Sequence, residues 1–198
     1  QTSSGFSYAK TRLITKVNEM FRVLFKKMIT TMKNRYDYDT EYLQDMLDND
    51  VKAFSKYMGF QIMASHNGNL PAGPLYAARL RAILWDDCGP CAQLMVNMAI
   101  KADVEPDIIQ AIINKDLKPL PEEVALVVQF TESILARNSD ADELREQILA
   151  LWGKEGLIAI GFCIGSSRVY PALKYTMGYG ETCSRIHIAN SKLVPQKN

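Results

Sequence analysis

A chain of 198 residues that is 47% apolar can bury a substantial core in one domain or two small ones, which excludes a disordered polypeptide. Its formal charge of +1 argues against nucleic acid as the main partner, since phosphate backbones reward an excess of Lys and Arg. That near-neutrality hides an asymmetry: residues 1–35 hold eight Lys/Arg and one Glu, a charge of +7, and the remainder carries −6. The two parts have complementary charge, or the basic part faces an acidic partner.

No apolar run approaches the length of a bilayer span; the longest surrounds Leu157 to Ile164. No secretory leader is visible, and Gln1-Thr2-Ser3-Ser4-Gly5 reads as a scar or a trimmed terminus. The four cysteines, one close pair and two scattered, fit a reducing, cytoplasmic compartment with a redox or metal site better than a disulfide scaffold.

Taken in order, Tyr8 to Arg35 reads as one long helix. Leu13, Val17, Met20, Phe21, Leu24, Met28 and Met32 recur at helical spacing, with basic residues opposite. Such a helix docks on protein or lies on an anionic membrane, and docking is the preferred expectation. We therefore divide the chain into a basic amphipathic helix, 1–37, and a helical domain, 38–198. Thr40 is placed to cap a second helix through Met46, Leu47, Val51, Phe54 and Tyr57 to about Ala64. His66-Asn67-Gly68-Asn69 is turn chemistry, extended by Pro71, Gly73 and Pro74. A helix follows over Leu75–Trp85, with Arg79 and Arg81 off its apolar side.

The next helix, to about Ala102, opens on Cys88-Gly89-Pro90-Cys91, with Asp86 and Asp87 where N-caps belong. Pro106 starts a short helix at its favoured first position. Leu117 to Pro121 is a linker, and Pro121-Glu122-Glu123 leads a helix to Ala136. Asp140 and Glu143 resemble a capping box for a helix to Trp152. Lys154 to Met177 reads as a last long helix containing Gly161, Gly165 and Pro171, ended by Gly178 and Gly180. The tail to Asn198 is weakly patterned, and no strong period-two strand is visible. The expected fold class is all-α.

Cys88 and Cys91 are the one place where spacing implies chemistry. A C-x-x-C pair opens and closes as a disulfide, and a helix start favours the thiolate. Two adjacent carboxylates oppose that thiolate by like charge. Cys88, Cys91, Met95, Met98 and Ala102 share one helical face, so the thiols should look onto apolar surroundings. Two other readings stand beside the redox one. The thiols are idle core residues, or they join Cys183 and His187 in a Cys₃His zinc site, for which nothing in the sequence brings the tail to the Cys helix. Cys163 lies in an apolar run and reads as core. The tetrad CGPC is also that of thioredoxins, but there it follows a strand, and here the preceding segment reads as helix.

The order of helices over roughly residues 45–178, with C-x-x-C at a helix start, resembles the carboxymuconolactone decarboxylase / alkyl hydroperoxidase D-like family. The resemblance implies a helical bundle, homo-oligomers (commonly trimers or hexamers), and peroxidase chemistry of the alkyl hydroperoxide reductase type without a metal or organic cofactor. The family's motif is Glu, eleven residues, C-x-x-C, three residues, His. By its mechanism Cys91 attacks a peroxide and Cys88 resolves it to a disulfide, which a dithiol donor then reduces. Tyr76 stands at the Glu position and Met95 at the His position. Tyr76 and Asp87 are therefore the candidate proton relay, although Tyr76, with an ordinary pKa near ~10, is a poor base at neutral pH. Peroxide reduction or disulfide exchange is the expected activity, and the rival is a non-enzymatic binding or assembly member of the fold.

Overall fold

A computed structural model describes residues 3–182, 186–188 and 191–193. Among them are eight helices: α1 (Ser3–Tyr36), α2 (Glu41–Asn49), α3 (Val51–Ala64), α4 (Ala72–Trp85), α5 (Gly89–Ile100), α6 (Pro106–Asn114), α7 (Glu122–Ala136) and α8 (Ala141–Thr176). The architecture is mostly helical, as the periodicity predicts. The tail differs from expectation. It forms an antiparallel hairpin, β1 (Ile186–Ile188) with β2 (Ser191–Leu193), in the register Ile186↔Leu193, His187↔Lys192 and Ile188↔Ser191. Strands of three residues are too short to raise a period-two signal above their surroundings.

The chain groups into two compact units, Gln1–Phe60 and Gln61–Asn198. In the first, α1 turns Phe25 and Ile29 inward, and the Phe25 ring meets Phe54 at 5.0 Å. The expected stripe is not the buried one: Met20, Phe21, Leu24 and Met28 are exposed. The helix is apolar around more of its circumference than one stripe, so its neighbours cover one side and leave the other. Arg22 donates to the Asp48 carbonyl at 3.1 Å, and Tyr42 and Tyr57 share a hydroxyl hydrogen bond of 3.1 Å. The expected single helix from Thr40 to Ala64 is two. Asp50 breaks it, in extended conformation, and its carboxylate accepts from the Lys52 and Ala53 N–H groups to restart the coil as α3. The compact units part after Phe60, with α2 and most of α3 grouping with α1.

In the second unit α4 packs against α5, α6, α7 and α8. It begins at Ala72, with Pro74 in its first turn, where the missing N–H costs nothing. Arg79 and Arg81, which the sequence places off the apolar side, are buried. Arg81 donates Nε to Glu132 at 2.6 Å and Nη1 to the carbonyls of Ile112 and Ile113 at 3.3 and 3.0 Å, satisfying the end of α6. Arg79 donates to the Ala64 carbonyl at 2.9 Å. Burial of each guanidinium is tolerable because Arg79 answers the Ala64 carbonyl, and Arg81 answers Glu132 and the Ile113 carbonyl.

The capping expected of Asp140 takes another form. Asp140 is the N-cap of α8, but its carboxylate accepts from the Ser133 hydroxyl at 2.9 Å and makes no cap bond to the helix. Within α8, Gly153 at φ 63 and ψ −164 breaks the helical path, which is the division expected between Trp152 and Lys154. An 18-residue window of α8 reaches a mean hydropathy of 1.6, so by length and composition this helix is apolar enough to cross a membrane. Aliphatic residues carry that average and glycines interrupt them, so no continuous apolar run of span length forms. Ala159, Ile160, Cys163 and Ile164 on its inner face are buried, as expected for Cys163, and Ile158 and Phe162 on its outer face are exposed. Gly161 and Gly165 have nothing within 4 Å of where a Cβ would stand, so neither is needed for a close helix contact.

Candidate active site: the Cys88–Cys91 disulfide

The site is built on the turn between α4 and α5. Asp86 ends α4, its N–H bonding back to the Ile83 and Leu84 carbonyls. Asp87 follows at φ 49, a left-handed conformation that Asp tolerates better than most residues. The chain is then extended at Cys88, the N-cap of α5, and Gly89 and Pro90 form the first helical positions. The N-cap is therefore Cys88, and neither Asp86 nor Asp87 occupies it. Asp87 is still curling the backbone where an N-cap residue would already be extended.

Cys88 and Cys91 are joined as a disulfide, with Cα atoms 5.3 Å apart. N-cap and third helical position lie at a separation that a disulfide spans. Both residues are almost wholly out of solvent, at 0% and 2% exposure, and share a core cluster with Tyr76, Met95, Ile186 and Ile188. The expected apolar surroundings are present.

The two carboxylates differ in their surroundings. Arg168 on α8 holds Asp86 with two bonds of 2.9 Å, from Nε and from Nη2, so that carboxylate's charge is offset by a neighbour. The same hydrogen bonding pushes the Arg168 pKa up. Asp87 presents its carbonyl to the Tyr175 hydroxyl at 2.9 Å. Arg168 and Tyr175 are seven residues apart, two turns of α8, and so reach the same loop from one face. With Asp86, Gly165, Pro171 and Ala172 they line an open groove of about 510 Å³.

Of the candidate relay residues, Tyr76 is buried on α4, with the Arg79 guanidinium 5.4 Å from its ring centre, and Asp87 directly precedes Cys88. His66, on the loop after α3, packs edge-on against Phe162 at 5.4 Å. Cys183 lies outside the described residues, and among the described residues no group of three His, Cys, Asp or Glu side chains is placed to hold a metal.

The tail nevertheless reaches the Cys helix. The Gly89 N–H donates to the Glu181 carbonyl at 2.9 Å. Gln93, one turn into α5, accepts from the His187 N–H at 2.8 Å and donates to the His187 carbonyl at 3.0 Å. Ile186 and Ile188, on either side of His187, are buried. Sequence reasoning passed over Gln93, Arg168, Tyr175 and Glu181. Only the seven-residue spacing of Arg168 and Tyr175 carried a signal. Glu181 acts through its backbone, which every residue possesses.

Compared with protein families, curated proteins and solved structures, the chain matches none.

Proposed function

We propose that this chain is a thiol oxidoreductase of the alkyl-hydroperoxidase-D-like type that cycles Cys88 and Cys91 between dithiol and disulfide. The observation that carries the reading is the pair itself, closed across the first turn of a helix, where reopened thiols face backbone N–H groups and the positive end of the dipole. In the oxidising half-reaction the Cys91 thiolate attacks the outer peroxide oxygen. The O–O bond breaks, an alcohol leaves, and a sulfenic acid remains on Cys91. The Cys88 thiol displaces that hydroxyl as water and the disulfide closes. A dithiol donor returns two electrons and two protons and leaves as its own disulfide.

Tyr76 and Asp87 are the groups on hand to pass protons in place of the family's Glu and His. Met95, in the His position, cannot carry one. That favours a second reading, exchange of disulfides with a partner, which needs less proton traffic at Cys91 than peroxide cleavage. No metal or organic cofactor enters either cycle. A homo-oligomer is part of the proposal, and exposed Met20, Val23 and Leu24 on α1 supply apolar surface for one. Removing residues 1–35 should then lower the oligomeric state.

The deciding experiment reduces the protein, removes the reductant and follows thiols by alkylation and mass spectrometry after one equivalent of alkyl hydroperoxide. Loss of two hydrogens mapped to the Cys88–Cys91 peptide, with matching loss of hydroperoxide, supports peroxidase activity. Closure by a disulfide reagent but not by hydroperoxide supports exchange. Oxidation that links Cys163 or Cys183 instead would put the chemistry elsewhere.

A further inference from the structure

The hydrogen bonds between the tail and α5 bear on how the disulfide is reached. Thiol–disulfide exchange needs the attacking thiolate in line with the S–S bond. At 0% and 2% exposure, Cys88 and Cys91 offer no such approach. Something must move before a reductant arrives, and the element seated on the first turns of α5 is the C-terminal segment. Two of its contacts with α5 are hydrogen bonds among the described residues. The Glu181 carbonyl takes the first N–H of the helix, at Gly89. Four residues along, the Gln93 side-chain amide clasps both main-chain groups of His187, as a neighbouring strand would. Gln93 also donates to Asn97 Oδ1 at 2.9 Å, which fixes the amide for that role.

We infer that β1 is a latch on the Cys88–Cys91 disulfide and that its release from Gln93 sets how fast a reductant reaches the sulfurs. The inference rests on the reading of this pair as redox-active and adds its regulation. A two-stranded hairpin is marginal on its own in water, so β1 and β2 owe their place to Ile186, Ile188 and the clasp at His187. Local opening of such an element is less demanding than global unfolding. During reduction a thiolate of the donor attacks one sulfur of the pair, the S–S bond breaks, and a mixed disulfide forms. The donor's second thiol then displaces the protein thiolate and closes the donor's own disulfide. The latch takes no part in these steps and acts only on access.

The test compares the oxidised full-length chain with its Gln93→Ala variant. Dithiothreitol is the reductant, acid-quenched alkylation reads the thiols, and hydrogen exchange at the His187 amide reports whether the latch is open. Loss of two hydrogen bonds should raise both the exchange rate and the reduction rate roughly tenfold, with the far-ultraviolet circular dichroism unchanged. Faster exchange with an unchanged reduction rate would overturn the inference, because the open latch would not be the limiting event. Unchanged exchange in the folded variant would overturn it too, since Gln93 would not be what holds β1. Failure of the underlying redox reading looks different. Cysteines that alkylate completely in denaturant after treatment with oxidant, with no reductant added, would mean that there is no disulfide to guard.

Discussion

Arg81 and Arg168, both in the second unit, each meet a carboxylate, and they do different work. Arg81 is 1% exposed, reaches Glu132 at 2.6 Å and fills the carbonyl end of α6. Lys115 reaches the other oxygen of Glu132 at 2.9 Å. Arg168 is nearly half exposed and holds Asp86 in a bidentate pair. The geometry of the second pair is better, but burial decides their worth. A charge in the core has no water to fall back on, whereas an exposed pair trades one solvated state for another. Arg81 therefore belongs to the fold. Arg168 serves the loop that leads into Cys88, where it offsets the Asp86 charge.

The largest effect that would break this contrast is at Arg81. Arg81→Met leaves the Glu132 carboxylate with Lys115 and the Ile113 carbonyl without its donor, so urea titration should show a loss of about 3–5 kcal/mol. A loss under ~1 kcal/mol would mean that water reaches Glu132 and that burial does not separate the two pairs.

A second test concerns the core between the arginines. Burial pushes the Cys163 thiol pKa up, against the pull of the Arg79 guanidinium beside it. Burial also raises Tyr170, against its hydrogen bond to Gln61 and the charge of Arg79. Both groups are held neutral in the fold and ionise more readily when unfolded. Stability should therefore be flat below the ordinary thiol value of 9.0 and fall as pH rises above it. Melting temperatures from pH 8 to 10.5 should decline, and less steeply in Cys163→Ala than in the parent. Equal slopes would remove Cys163 from the account.

The smallest change in stability, and the sharpest for the site, is at Arg168. Arg168→Ala should cost less than about 1 kcal/mol. It also leaves the Asp86 charge unanswered two residues from Cys88, so the alkylation profile of the reduced pair should move to higher pH. A profile that does not move would show that Asp86 is too well solvated to be felt at the sulfurs.

Most helices were legible because their apolar spacing and punctuation are local. Pro106 opens α6 as its position predicts, and Gly153 marks the break in α8. Asp50 misled because its extended backbone ends α2 while its carboxylate caps α3, and an Asp inside a periodic stretch looks like a solvated residue. Arg79 and Arg81 misled because polarity predicts exposure, and only the carbonyl ends of α3 and α6 make their burial tolerable. The tail misled because its contacts run through main-chain groups that carry no residue signature.

By itself, then, the sequence determined that this is a mostly helical chain with one C-x-x-C at a helix start. Helix periodicity and the reach of two cysteines three residues apart are properties of the nearest few positions. The tertiary structure alone decided that Cys88 caps the helix, that Arg168 answers Asp86, and that β1 lies against Gln93. The last two join residues about eighty to ninety-five positions apart, and contacts at that distance are chosen by the packing of α4, α5 and α8 as a whole, which no local pattern encodes.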